Sequence, residues 1–149
     1  MPPLKSVCRW STATLLKTCK GGNNMSDIKR YEITWSAHMS APVLAVEIDP
    51  AICTIKTLEN INNFFINARD RLYDSGDDII VAVLKMLGSV CFTEQTGPTG
   101  GWNAQGLINL FKDGEMEGWP PLDGSYGIRI LSCDTPDVSY EDMEVAEVS

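Results

Sequence analysis

From Asp78 the chain reads DIIVAVLKMLGSVCF, and between Asp78 and Glu94 its only charge is Lys85. A helix that is apolar nearly all round has no face to give to solvent, so other elements must surround it. This stretch therefore becomes the buried centre of a helical layer, and the rest of the chain has to supply the cover. Asp77 stands where an N-cap is needed. Gly88, in the middle, costs about 1 kcal/mol relative to Ala. A close approach of a neighbouring helix or strand would offset that cost.

The cover is legible on both sides. Upstream, RYEITWS places Tyr31, Ile33 and Trp35 on one side and Glu32 and Thr34 on the other, the period of a half-buried strand. VLAVEID repeats the pattern with Leu44, Val46 and Ile48, and AHMSAP joins the two as a hairpin. Pro50 ends the second strand and opens a short turn. From Thr57 the period becomes helical: Leu58, Ile61, Phe64, Phe65, Ala68 and Leu72 share one stripe, with Glu59, Asn63, Asn67 and Asp70 opposite. One helix is expected there, broken by YDSGDD. Downstream, TGPTGG is a loop, and Asn103 can cap a third helix carrying Leu107, Leu110 and Phe111. GIRILS reads as a strand, and MEVAEV as a less regular one whose apolar residues do not keep to one face. The expected fold is α+β: a two-layer domain of order ββαααββ, with helices on one face of a four-stranded antiparallel sheet.

Charge is unevenly placed. Of twelve basic residues, Lys5, Arg9, Lys17 and Lys20 fall in the first 24, while all twenty acidic residues come later, so residues 25–149 carry −12. Such a domain is repelled by phosphate backbones and anionic lipid, which excludes direct nucleic-acid and membrane-surface binding as leading readings. Residues 1–24 read as a leader that is not part of the domain. Lys20, Gly21 and Gly22 are what the triplets AAA GGA GGN would encode, a purine-rich ribosome-binding sequence, and Asn23 and Asn24 would space it from Met25. Met25 is then the expected start of a single domain, 25–149. A basic targeting peptide and a structured extension are the alternatives. A secretory signal is disfavoured, because the longest apolar run there is far too short.

The chemistry of sites is sparse. Cys8 and Cys19 lie in the leader, and Cys53, Cys91 and Cys133 are widely separated, with no CxxC or Cys/His cluster. Reduced, buried thiols of a cytoplasmic protein are expected. No apolar run approaches membrane-spanning length. No catalytic residue, metal ligand or cofactor site is assigned. His38, the single histidine, lies in the hairpin loop with no acid or cysteine at ligand spacing.

INNFF, NARDRL, VAVLKML and EGWPPLDGSYGIRILSCD resemble an uncharacterised bacterial family, domain of unknown function 2528. Its members look like accessory genes of phages, plasmids and integrated elements. The similarity runs from near Lys29 almost to the C-terminus, and Trp-Pro-Pro followed by two spaced glycines is its most specific part. The resemblance implies a genomic context and carries over no mechanism.

Candidate partner-binding residues come from two stretches. In the first, Trp119 could anchor a protein partner, although such a tryptophan more often closes a core. Asp123, beside Ser125 and Tyr126, could act as acid or base, although Asp-Gly is turn chemistry and Pro120 and Pro121 stiffen the approach to the strand. In the second, the six acids after Arg129 include Asp134, Asp137, Glu141 and Asp142, with no base among them. A solvated tail is the ordinary reading of such a run. Three functions are open: an accessory protein binding an unknown protein partner, an acidic nucleic-acid mimic inhibiting a host DNA-binding protein, and a small enzyme using the Trp119–Tyr126 loop. A self-associating assembly component is a further possibility.

Overall fold

The computed structural model describes residues 27–98, 100–112 and 116–148. The expectations for residues 1–24 lie outside the described residues. The hairpin forms as expected from β1 (Lys29–Thr34) and β2 (Val43–Ile48). Its turn is closed by the Trp35 amide donating to the Pro42 carbonyl at 3.0 Å and the Ala41 amide to the His38 carbonyl at 2.9 Å. The strand foreseen in GIRILS is β3 (Ile128–Cys133), and the three strands form an antiparallel sheet in the order β1-β2-β3.

Alternation then does its work. Tyr31, Val46 and Ile130 lie in one cross-strand row, Ile33 faces Leu44, and Ile48 faces Ile128. Leu44, Val46, Ile48, Ile128 and Ile130 are all buried. Ala45 faces Ser132 while Val46 faces Ile130, so Leu131 is an extra residue on β3. This bulge resets the parity of the strand. Cys133 consequently lands opposite Leu44 and packs against the core.

Among the described residues four helices are present where three were expected. The first stripe is split into α1 (Ile55–Phe64) and α2 (Ala68–Asp74). The break has two causes. Asn67 adopts a left-handed conformation, φ 65°, and Arg71 reaches back to accept the role of a cap for α1. Its guanidinium donates to the carbonyls of Ile66 at 2.7 Å, Asn62 at 2.9 Å and Phe65 at 3.2 Å, and to the Asn62 side chain at 2.8 Å. Terminal carbonyls left orphaned by the end of a helix are thereby satisfied. Asn62 itself is buried and donates to the Ala68 carbonyl at 3.1 Å, which ties the two helices together.

The apolar stretch is α3 (Ile79–Thr96). Asp78, not Asp77, is its cap: the Asp78 carboxylate accepts from the amides of Ile80 at 3.0 Å and Val81 at 3.3 Å. Asp77 instead takes φ 65° and belongs to the preceding turn. By length and composition α3 could cross a membrane, contrary to the expectation that no stretch approaches that measure. In the fold its Ala82, Val83, Leu84, Leu87, Cys91 and Phe92 are buried in the domain. Gly88 is where β1 comes closest, since a Cβ there would lie 2.7 Å from Ile33 Cγ2. The glycine is thus required by the close approach. Finally α4 (Ala104–Lys112) starts at Asn103, whose side chain accepts from the Gly106 amide at 2.8 Å.

MEVAEV forms no strand, and residues 143–148 are exposed. The place a fourth strand could take beside β3 is already used. The Ile130 amide donates to the Leu122 carbonyl at 3.2 Å, the Gly124 amide to the Ile128 carbonyl at 3.0 Å, and Asp123 bridges Arg129. A segment without one apolar face has little to gain from competing for that edge.

Candidate functional site

The rare run EGWPPLDGSYG folds as a brace on the core. Trp119 is 6 % exposed and sits 6.0 Å from the Phe111 ring, edge-on, and 5.9 Å from the Phe65 ring. Pro120 and Leu122 are buried with it. Gly118 has φ 90°, and a Cβ there would lie 2.4 Å from the Phe64 ring. Gly127 has φ 93°, and a Cβ there would lie 2.5 Å from the Cys53 backbone nitrogen. Both glycines meet the two demands only glycine satisfies at once: left-handed backbone and direct contact.

Asp123 is engaged within this loop. Its carboxylate accepts from the Ser125 hydroxyl at 2.6 Å and the Ser125 amide at 3.0 Å, and lies 3.9 Å from the Lys112 ammonium. Burial alone would raise its pKa, but the bonds from Ser125 and the Lys112 charge outweigh burial and hold it below the ordinary value. A downward shift moves a carboxyl away from the range suited to proton transfer near neutrality. Tyr126 lies half-buried three residues on.

The acidic stretch divides at Pro136, which is buried. Asp134, before it, extends the β2–β3 ladder: its amide donates to the Val43 carbonyl and its carboxylate accepts from the Val43 amide, both at 3.0 Å. Beyond Pro136 the chain leaves the core. Ser139 caps a 3₁₀ turn, Tyr140–Asp142, by accepting from the Glu141 amide at 3.3 Å, and its hydroxyl donates to the Glu141 carboxylate. That hydroxyl lowers the Glu141 pKa. Asp137 and Asp142 are exposed. Between the acids, five apolar side chains are also exposed: Val138, Tyr140 (89 %), Met143, Val145 (97 %) and Val148. The two candidate groups do not come together: Trp119 and Asp123 serve the core and its rim, while Asp137, Glu141 and Asp142 stand outside it.

A third feature escaped the sequence. A groove of about 390 Å³ lies between the end of β1 and α3, lined by Ile33, Trp35, Lys85, Gly88 and Phe92 among others. Trp35, expected on the buried side of a strand, lies beyond the last residue of β1 and is 39 % exposed, its ring tilted against His38 at 4.9 Å and Phe92 at 5.9 Å between centroids. The signal available was Gly88, which marks where strand and helix meet.

Among the described residues the other candidate reactive groups are hydrogen-bonded or buried. The His38 Nδ1 lies 3.1 Å from the Ser40 amide, which donates to it, and 3.0 Å from the Ser40 hydroxyl. Burial pushes the Cys53 thiol up to about 12, helped by the Asp49 charge, and the Cys133 thiol to about 11. Cys91 is raised by burial as well. None of the three is a thiolate near neutrality, the form that reacts. Among the described residues no three His, Cys, Asp or Glu side chains converge as a metal site.

The family described as Protein of unknown function (DUF2528) matches residues 43–145. The chain belongs to the DUF2528 family. Protein ea10 of Escherichia phage lambda and the Lambda prophage-derived protein ea10 of Escherichia coli O6:H1 are each 37 % identical to it over 125 residues, spanning 81 % of this chain and 98 % of theirs. These relatives, one phage and one prophage-derived, agree with the DUF2528 resemblance and with a bacterial mobile-element setting. No solved structure matches the chain significantly.

Proposed function

We propose that this DUF2528 protein is a phage or prophage accessory protein that acts by binding a protein partner, and that the partner reads residues 137–148. The observation that carries this reading is the interleaving of exposed apolar side chains with acids: Val138, Tyr140, Met143, Val145 and Val148 among Asp137, Glu141, Asp142, Glu144 and Glu147. A tail that served solubility alone gains nothing from exposed valines and a tyrosine. Interleaved side chains of these two kinds fit an apolar groove rimmed by Arg and Lys. There the carboxylates set the approach and the apolar anchors set the residence time.

The same interleaving favours a protein groove over imitation of a nucleic-acid backbone, which needs carboxylates alone. The enzyme reading has less support, because Asp123 is held by Ser125 and Lys112. Affinity capture of the tagged chain in its host identifies the partner. Rates with the purified partner then decide. Amide substitutions at Asp137, Glu141 and Asp142 are expected to slow association and flatten its salt dependence, and Tyr140→Ala with Val145→Ala to speed dissociation. Unchanged rates in both variants would sink the proposal.

A further inference from the structure

The two edges of the sheet are treated differently by the fold. Residues 122–124 cover the outer edge of β3, whereas among the described residues nothing pairs with the outer edge of β1. Such an edge presents unpaired backbone donors and acceptors ready to receive another strand. Arg30 and Glu32 stand on it two residues apart, both exposed and both on the side facing away from the core. Neither forms an ion pair among the described residues, where the salt bridges are Lys112–Asp123 and Arg129–Glu47.

We propose that β1 pairs antiparallel with β1 of a second copy of this chain, about a twofold axis at Tyr31, so that the two sheets become one. The register follows from side-chain direction. Cross-strand partners point to the same face, so the core-facing sides stay together only when residues of like parity oppose each other. With Tyr31 opposite its own copy, Arg30 faces Glu32 of the second copy, and symmetry repeats the pair. Centring instead on Glu32 would set that carboxylate against itself. Registers of the other parity would set Arg30 against Ile33. Among registers of like parity, only the one centred on Tyr31 sets Arg30 opposite Glu32.

Charged residues on an edge ordinarily keep copies apart. That protection needs repulsion, and an Arg and a Glu at this spacing attract in an antiparallel pair. The groove bordering Ile33 and Trp35 lies beside the same strand. This inference is independent of residues 137–148.

Sedimentation equilibrium on the full chain tests it. Wild type is expected to be dimeric at micromolar concentration, and a monomer at all accessible concentrations would overturn the proposal. Arg30→Glu or Glu32→Arg alone opposes like charges twice, and each is expected to raise the dimer dissociation constant at least about tenfold. The double variant restores the pairing in reverse and should recover the dimer. Both sites are exposed, and circular dichroism confirms that each variant is folded. A dimer indifferent to the single substitutions, or one that the double variant fails to recover, would overturn the proposal.

Discussion

Residues 116–127 and 137–148 both follow the last helix, and both carry large apolar side chains, yet one is sealed into the core and the other left outside. Trp119 is 6 % exposed and Tyr140 89 %. Hydrophobicity does not separate them. The first segment has Gly118 and Gly127, which let backbone approach to within contact of Phe64 and Cys53, and it borrows hydrogen bonds from the edge of β3. The second has neither device after Pro136. Burial goes to the segment whose backbone can be satisfied where its side chains are wanted.

That contrast can be broken by mutation, beginning with the largest effect. Trp119→Ala should cost about 3–5 kcal/mol in denaturant unfolding, as for other buried large aromatics. A loss below 1 kcal/mol, on the order of a surface change, would mean that the loop is not part of the core. Leu87→Ala on α3, and Leu84→Ala beside it, should cost roughly 2–5 kcal/mol, whereas Glu59→Ala on the exposed side of α1 should change little. Equal effects at the three sites would displace the helices from where they are described.

A smaller effect is expected for Asp123. Its folded pKa lies below its unfolded value, so its ionised form contributes stability above the ordinary carboxylate range, and that contribution is lost as pH falls through the folded pKa. Thermal melts of wild type and Asp123→Asn should therefore differ near neutrality and converge in acid. A gap that is constant with pH would place the loss in shape and not in charge. Least of all, converting Asp137, Glu141 and Asp142 to amides should shift stability by no more than about 0.5 kcal/mol. Asp134 does not belong in that set, since it holds the Val43 backbone, and Asp134→Ala should lower the melting temperature measurably.

What the sequence made legible was periodic. The alternation in β1 and β2, the switch to helical spacing at Thr57 and the cap at Asn103 are local facts, and local residues express them. What it hid depended on distant partners. The α1–α2 break rests on Arg71 turning back to the carbonyls of Asn62, Phe65 and Ile66, and no spacing rule reports where a guanidinium will reach. MEVAEV looked like a strand because strand propensity is context-dependent, and the missing context was an edge already taken by Leu122 and Gly124. The candidate residues divided on the same line. The acidic residues were visible as a run, but Asp134 differs from Asp137 only through its contact with a strand ninety-one positions away. The exposed valines and Tyr140 could be seen in the sequence, but their exposure could not.

Gln95, buried near the end of α3, donates to the carbonyls of Trp102 at 2.9 Å and Cys133 at 3.1 Å and accepts from the amides of Gly101 at 3.0 Å and Trp102 at 2.7 Å. One side-chain amide thus holds a helix, a loop and a strand with all four of its hydrogen-bonding positions engaged. Freeing any one of the three strands a buried polar group, so the loop at Gly101 and Trp102 has no independent way to open. In native-state amide exchange those two positions should behave as part of the same cooperative unit as the end of β3, and their protection should follow the stability of that unit and not the short-lived breathing typical of a glycine-rich loop.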